Sequence, residues 1–176
     1  MQKILYRGAA VISIDGKIGL HSQHFTDWSS PEDKIAFRKL LNSSDVVIAG
    51  HATYRVAQKF LDKRNCIVFT RSVRTTVQHK KTILFCNPKN VRIDALVKKL
   101  RYHVVTIIGG AQTFSYFLKN AMLDELYLTV EPIIFGRGIS LFDDVKIPLA
   151  NFALTKSKKL NKKGSVLLMY TRQPTQ

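Results

Sequence analysis

Short β-branched apolar runs alternate with stretches of helical spacing along most of this chain, and that alternation constrains its fold most. Val46–Ala49, Cys66–Thr70, Thr82–Phe85 and Val104–Ile108 are unbroken runs, the pattern expected of strands buried on both faces. A longer first strand, Leu5–Ile14, stops at the turn signal Asp15-Gly16. Helices are expected over Pro31–Asn42, His51–Lys59, Arg92–Leu100 and Thr113–Asn120. The first has clear start signals: Ser30 suits the N-cap, Pro31 the first helical position, and Glu32 and Asp33 the positive helix end. Another strand begins over Glu125–Val130. After Phe142 the pattern changes. Phe152–Leu160 and Ser165–Thr171 read as a hairpin around Asn161-Lys162-Lys163-Gly164. The expectation is an α/β fold in one domain spanning residues 1–176, a central mixed, mostly parallel sheet flanked by helices and finished by an antiparallel hairpin.

Charge narrows the partners. Lys and Arg number 28 against 12 Asp and Glu, a net charge of +16. Such a chain attracts anions: a phosphorylated cofactor, a nucleic acid or a membrane surface. Lys156, Lys158, Lys159, Lys162 and Lys163 cluster on the expected hairpin, but their neighbours are mainly Thr, Ser and Leu, not aromatic readers of bases. A solvated turn is the plainer reading, and nucleic-acid binding stays as the competing class. No apolar run approaches the length of a membrane span. The N-terminus meets charge too soon for a secretory signal, so a cytoplasmic protein is expected. Cys66 and Cys86 sit in apolar runs and read as small buried hydrophobes. His21, His24, His51, His79 and His103 show no ligand spacing, and no metal is expected.

Two strand–glycine–helix junctions can carry chemistry. They are Val47-Ile48-Ala49-Gly50-His51-Ala52-Thr53 and Ile107-Ile108-Gly109-Gly110-Ala111-Gln112-Thr113. At each, N–H groups at a helix start either hold a phosphate or simply follow a turn. Thr70-Arg71-Ser72, after another buried strand, either holds an extra phosphate such as the 2′-phosphate of NADPH or is a solvated loop. Asp33 either favours the helix dipole or, with Phe37 and Leu41 on its face, looks into an apolar cleft where a carboxylate can relay a proton.

The order of these motifs resembles the dihydrofolate reductase superfamily. It runs through Ser13-Ile14-Asp15-Gly16-Lys17-Ile18-Gly19, Trp28, Asp33, Ile48 to Tyr54, Ile108 to Gln112 and Leu123 to Thr129. The run Glu131 to Phe142, with the Ser13 to Ile18 run, is similar to the riboflavin-biosynthesis pyrimidine reductase branch, the reductase domain of the bifunctional deaminase-reductase. The resemblance implies that superfamily's three-layer fold and an NADPH-dependent reductase of a pyrimidine or pteridine heterocycle, with dihydrofolate as the alternative substrate. It implies cofactor contacts at Ala10, Ile18, Gly50, His51, Ala52, Thr53, Thr70, Arg71, Ser72, Gly109, Gly110, Ala111, Gln112 and Thr113. It implies catalytic roles for Asp33 and Lys17, and substrate contacts at Ser13, Trp28, Phe37 and Thr129. A homodimer is plausible on the same ground, with Val130–Ile139 as its surface if that stretch lies at an exposed edge.

Overall fold

The computed structural model describes residues 3–143, 146 and 148–174. In chain order its elements are β1 (Leu5–Ser13), β2 (Lys17–Gly19), α1 (Pro31–Asn42), β3 (Val46–Gly50), α2 (His51–Leu61), β4 (Cys66–Phe69), β5 (Thr76–Lys80) and β6 (Ile83–Cys86). There follow α3 (Ile93–Lys99), β7 (Val104–Ile107), α4 (Ala111–Lys119), β8 (Glu125–Glu131), β9 (Ile139–Ser140), β10 (Phe152–Lys159) and β11 (Val166–Arg172). Nine strands form one sheet in the order β10-β11-β8-β1-β7-β3-β4-β6-β5. β1 pairs in parallel with β7 and β8, and the β10–β11 hairpin joins antiparallel through β11 to β8. This is the expected mixed sheet with its antiparallel finish. No helix among the described residues is long and apolar enough to cross a membrane.

The period-two alternation of a strand explains the layers. Val46 and Ile48 join Ile67, Val105 and Ile107 in a cluster with Ile93 and Val97 of α3 and Phe114 and Phe117 of α4. Val47 and Ala49 face the other way and join Cys66, Val68 and Ile83 with Leu41 of α1 and Tyr54 and Leu61 of α2. Strands covered on both sides have no polar face to show, hence their unbroken apolar runs. Cys66 and Cys86 are free and buried, and burial pushes their thiols up to about 12 and about 11. Both are packing residues, as their runs predict.

Topology places the site. After β1 the chain crosses to β3, moves outward through β4 and β6, then returns to insert β7 between β1 and β3. The parallel strands reverse their order of addition there, which in α/β sheets is where ligands bind, beyond the carboxyl ends of the strands.

Some elements depart from expectation. Thr76–Lys80 forms an edge strand antiparallel to β6, although all its residues but Val77 are polar and most are exposed. An edge strand needs no buried face, so it leaves no apolar signature. α4 begins at Ala111, two residues before the expected Thr113. Val130 and Glu131 belong to β8, an interior strand between β11 and β1, so the first two residues of Val130–Ile139 do not lie at a sheet edge. Beyond them the chain folds back over β1, where the Ile14 N–H donates to the Ile133 carbonyl at 2.8 Å.

Candidate active site

The two glycine junctions converge. β3 and β7 are neighbours, so α2 and α4 start side by side at the carboxyl edge. The Gly50 N–H donates to the Gly109 carbonyl at 2.6 Å. A Cβ on Gly50 would sit 2.9 Å from Thr113 Oγ1 and 3.4 Å from the Gly110 nitrogen, and one on Gly110 would sit 3.6 Å from Thr53 Oγ1. Thr53 and Thr113 thus share one corner with three glycines. The Gly109–Gly110 peptide is cis.

The donor set of this corner suits an anion. The N-caps of α2 and α4 are glycines and supply no side-chain cap. Neither helix carries an acid in its first turn, whereas α1 carries Glu32 and Asp33 and α3 carries Asp94. A helix start without cap or carboxylate leaves free N–H groups and a positive dipole end. Ala111 and Thr113 are buried, while His51, Ala52 and Gln112 are exposed at the rim. His51 sets its ring edge-on to Phe85 at 5.9 Å. At the end of β4, Thr70 is buried and shares a 2.9 Å hydroxyl hydrogen bond with Ser72, whose N–H also donates to Thr70 Oγ1. Arg71 beside them is exposed and forms no ion pair among the described residues.

A second corner forms where α1 meets β8. Ser30 is the N-cap and accepts from the Asp33 N–H at 3.3 Å. Asp33, the third helical residue, is 7% exposed. Thr129 on β8 and Ser29, whose hydroxyl donates to the Thr26 carbonyl at 3.2 Å, stand close enough to its carboxylate to act on its pKa. Burial is the largest influence and raises the Asp33 pKa; the two hydroxyls oppose it, and the nearby Glu131 carboxylate adds to it. Asp33 thus stands beside Thr129, while Phe37 one turn later is drawn to α2, where it stacks on Phe60.

Loops close over this end of the sheet. Trp28 ends a single 3-10 turn, Thr26–Trp28, and meets Phe135 edge-on at 5.0 Å. Its indole N–H is buried with no hydrogen-bond partner among the described residues. Ser13 is fully buried, donates to Asp15 Oδ1 at 2.6 Å and accepts from the Lys17 N–H at 2.9 Å. Asp15 also accepts from the N–H groups of Phe135 and Gly136, and the Ser13 hydroxyl foremost holds its pKa below the usual carboxylate range. Lys17 donates to Ser140 Oγ at 3.0 Å across the β2–β9 ladder. Ala10 and Ile18 are half-buried against the core.

Glu131 is a site-proximal residue the sequence reading does not single out. It is 5% exposed and accepts from both the N–H and the hydroxyl of Ser30, at 2.8 and 2.6 Å. Its partner lies 101 positions away, and no local pattern signals such a pair. The only available hint is a carboxylate two residues after Thr129 at the end of the strand.

The family model for the RibD C-terminal domain matches residues 8–166. A Bacillus subtilis (strain 168) protein, the uncharacterized YwjB, is 28% identical over 162 residues, covering 88% of this chain and 86% of its own. A Thermotoga maritima diaminohydroxyphosphoribosylaminopyrimidine deaminase/5-amino-6-(5-phosphoribosylamino)uracil reductase superposes with a TM-score of 0.72 at 16% identity, over 97% of this chain and 57% of that one. An Enterococcus faecalis dihydrofolate reductase, complexed with NADP(H) and RAB-propyl, superposes with a TM-score of 0.70 at 19% identity, over 97% of both chains. The last two likenesses establish the three-layer reductase fold.

Proposed function

The chain belongs to the RibD C-terminal domain family, and from that premise we propose that it is an NADPH-dependent reductase of a phosphorylated aminopyrimidine, as in riboflavin biosynthesis. The observation that carries the reading is the shared corner of Gly50, Thr53, Gly109, Gly110 and Thr113, with two uncapped, acid-free helix starts. Its donors suit the diphosphate of a dinucleotide, with the 2′-phosphate at Thr70, Arg71 and Ser72. His51, Ala52, Ala111 and Gln112 line the rim of that corner, and Ala10 and Ile18 would border the nicotinamide end. The cofactor, when bound, supplies a hydride to an electrophilic carbon of the heterocycle.

The chain's own residues supply position, proton and dryness. The Asp33 carboxyl, kept short of water, accepts from ring or amino N–H groups of a heterocycle and holds a proton more readily than an exposed acid. Thr129 stands beside that carboxyl and favours its charged form. Trp28 and Phe135 cover the strand ends and exclude water. Lys17, anchored on Ser140, brings a cation to the β2 side for an anionic substrate group. Ser13 fixes the loop that carries Lys17.

A second reading, reduction of dihydrofolate, is favoured by one observation: a buried acid at the start of α1 paired with a threonine of β8 can grip a pterin ring. Titration of the protein with NADPH and NADH, followed by Trp28 fluorescence, tests the cofactor reading. Selective quenching by NADPH is expected. No binding at millimolar cofactor would overturn it and move nucleic-acid binding to the front. With NADPH bound, turnover of the aminouracil ribosyl phosphate against dihydrofolate chooses between the substrates.

A further inference from the structure

In many helices the N-cap backbone N–H is satisfied by an acidic or amide side chain at the third helical position, reaching back to close a capping box. In α1 that third residue is Asp33, yet its carboxylate does not take the Ser30 N–H and lies instead beside Thr129 and Ser29. The Ser30 N–H goes to Glu131 Oε1 instead, at 2.8 Å, and the Ser30 hydroxyl donates to the same oxygen. The second oxygen of Glu131 accepts from the hydroxyl of Ser165, at the start of the strand that closes the hairpin. Asn161 in the hairpin turn donates to Ser165 Oγ at 2.9 Å and to Glu32 Oε2 at 3.2 Å. Thr129 and Glu131 are two apart on β8, so both side chains leave the same face. One stands beside the carboxyl of Asp33 and the other holds the start of its helix.

We propose that Glu131 is a positioning residue: by capping α1 from the neighbouring strand it releases the Asp33 carboxylate from capping and fixes it toward the substrate. The proposal rests on the reading of Asp33 as the acid that meets substrate. A buried carboxylate is costly unless its oxygens are satisfied, and both oxygens here have donors. A capping role alone would be served by Asp33 itself. Placing a second carboxylate beside it, against the repulsion this brings, is explained by the freedom that Asp33 gains. The groups facing Asp33 are Thr129 and Glu131 from β8, Ser29 from the preceding loop and Lys34 from its own helix. Those facing Glu131 are Ser30, Ser165 and Asp33, while Lys163 of the hairpin turn acts on Glu32.

The test uses Glu131→Gln, which keeps an acceptor for Ser30 and removes the charge, and Glu131→Ala, which removes both. The Asp33 carboxyl is followed by carbon NMR through a pH titration, its signal assigned with Asp33→Asn. This readout needs no substrate. In Glu131→Gln the Asp33 midpoint is expected to move down, because a like charge has gone, with the melting temperature kept. In Glu131→Ala, kcat is expected to fall between about ten- and a hundredfold, as misplacement of a reacting group does, with the KM for NADPH unchanged. An Asp33 midpoint unmoved in Glu131→Gln, or full kcat in a folded Glu131→Ala, overturns the proposal. If the midpoint moves but the wild-type protein reduces no substrate, the coupling stands and the reductase reading fails.

Discussion

Burial and hydrogen bonding oppose each other at Asp33. Desolvation raises its pKa, and the hydroxyls of Thr129 and Ser29 recover only part of the cost of the charge. The sign for stability follows. A carboxyl whose folded pKa exceeds its unfolded value binds more protons in the native state between the two, so stability falls as pH rises through that window. At neutral pH the charge of Asp33 therefore weakens the fold, and Asp33→Asn should raise the melting temperature there. The gain should vanish in acid below the ordinary aspartate range, where both states are protonated. Turnover should move the other way, with kcat/KM down about a hundredfold or more if Asp33 handles the proton. Melting curves at pH 7 and pH 3, beside steady-state rates, check both signs. An unchanged rate would remove Asp33 from the mechanism. The sequence reveals much of this residue: Ser30, Pro31 and the acids mark the helix start, and Phe37 and Leu41 mark its apolar face. It does not reveal Glu131, because that partnership is made by the register of β8 against α1, and register is a tertiary property.

The site's elements are two strand ends and two helix starts, and their fit depends on missing side chains. Gly109 holds φ at +108°, a conformation that side chains resist, and a Cβ there would lie 3.2 Å from the Phe114 ring. Gly50 has an ordinary φ of −70°, so its constraint is contact alone: the added carbon meets Thr113 Oγ1 at 2.9 Å. The two alanine variants should therefore differ. Gly109→Ala should cost about 1–3 kcal/mol of stability, as strained backbone does, together with NADPH binding. Gly50→Ala should leave most of the stability, since the Thr113 hydroxyl can rotate away, but weaken NADPH by filling the corner. Denaturant melts and cofactor titrations on both variants separate the effects; equal stability losses would contradict the strain argument at Gly109. The glycines and the strands feeding them are legible as sequence because a buried parallel strand and its turn carry strong local signals. The edge strand β5 and the two-residue β9 are not. Their pairing is decided by a neighbour in the sheet, and polar residues such as Gln78 and His79 serve at an edge as well as in a loop.

At the scale of the whole molecule the unexplained quantity is charge. The excess of +16 is spread over exposed residues, including Lys156, Lys158 and Lys159 on the edge strand β10 and Lys162 and Lys163 in the hairpin turn. On an edge strand, lysines discourage pairing with another chain, so part of the charge serves solubility. A net positive field also draws anions toward the protein, and exposed charges act through it only while salt is low: the screening length is about 10 Å at 0.1 M and about 3 Å at 1 M. A ligand that binds only the folded protein at a hundredfold excess over its Kd stabilises it by about 2.7 kcal/mol. For a chain of this size that is a melting shift of roughly 5–10 °C. NADPH should give that shift at low salt, and NADH, with one phosphate fewer, a smaller one. Between 0.05 and 1 M sodium chloride both shifts should shrink at fixed ligand, that of NADPH more, because its additional phosphate at Thr70, Arg71 and Ser72 relies on an exposed guanidinium. If the two cofactors lose the same amount with salt, Arg71 does not read the extra phosphate, and selectivity must come from the buried Thr70 hydroxyl and its bond to Ser72. If neither shifts the melt while a single-stranded oligonucleotide does, with a steep salt dependence, the charge answers to nucleic acid and the glycine corner is only a turn.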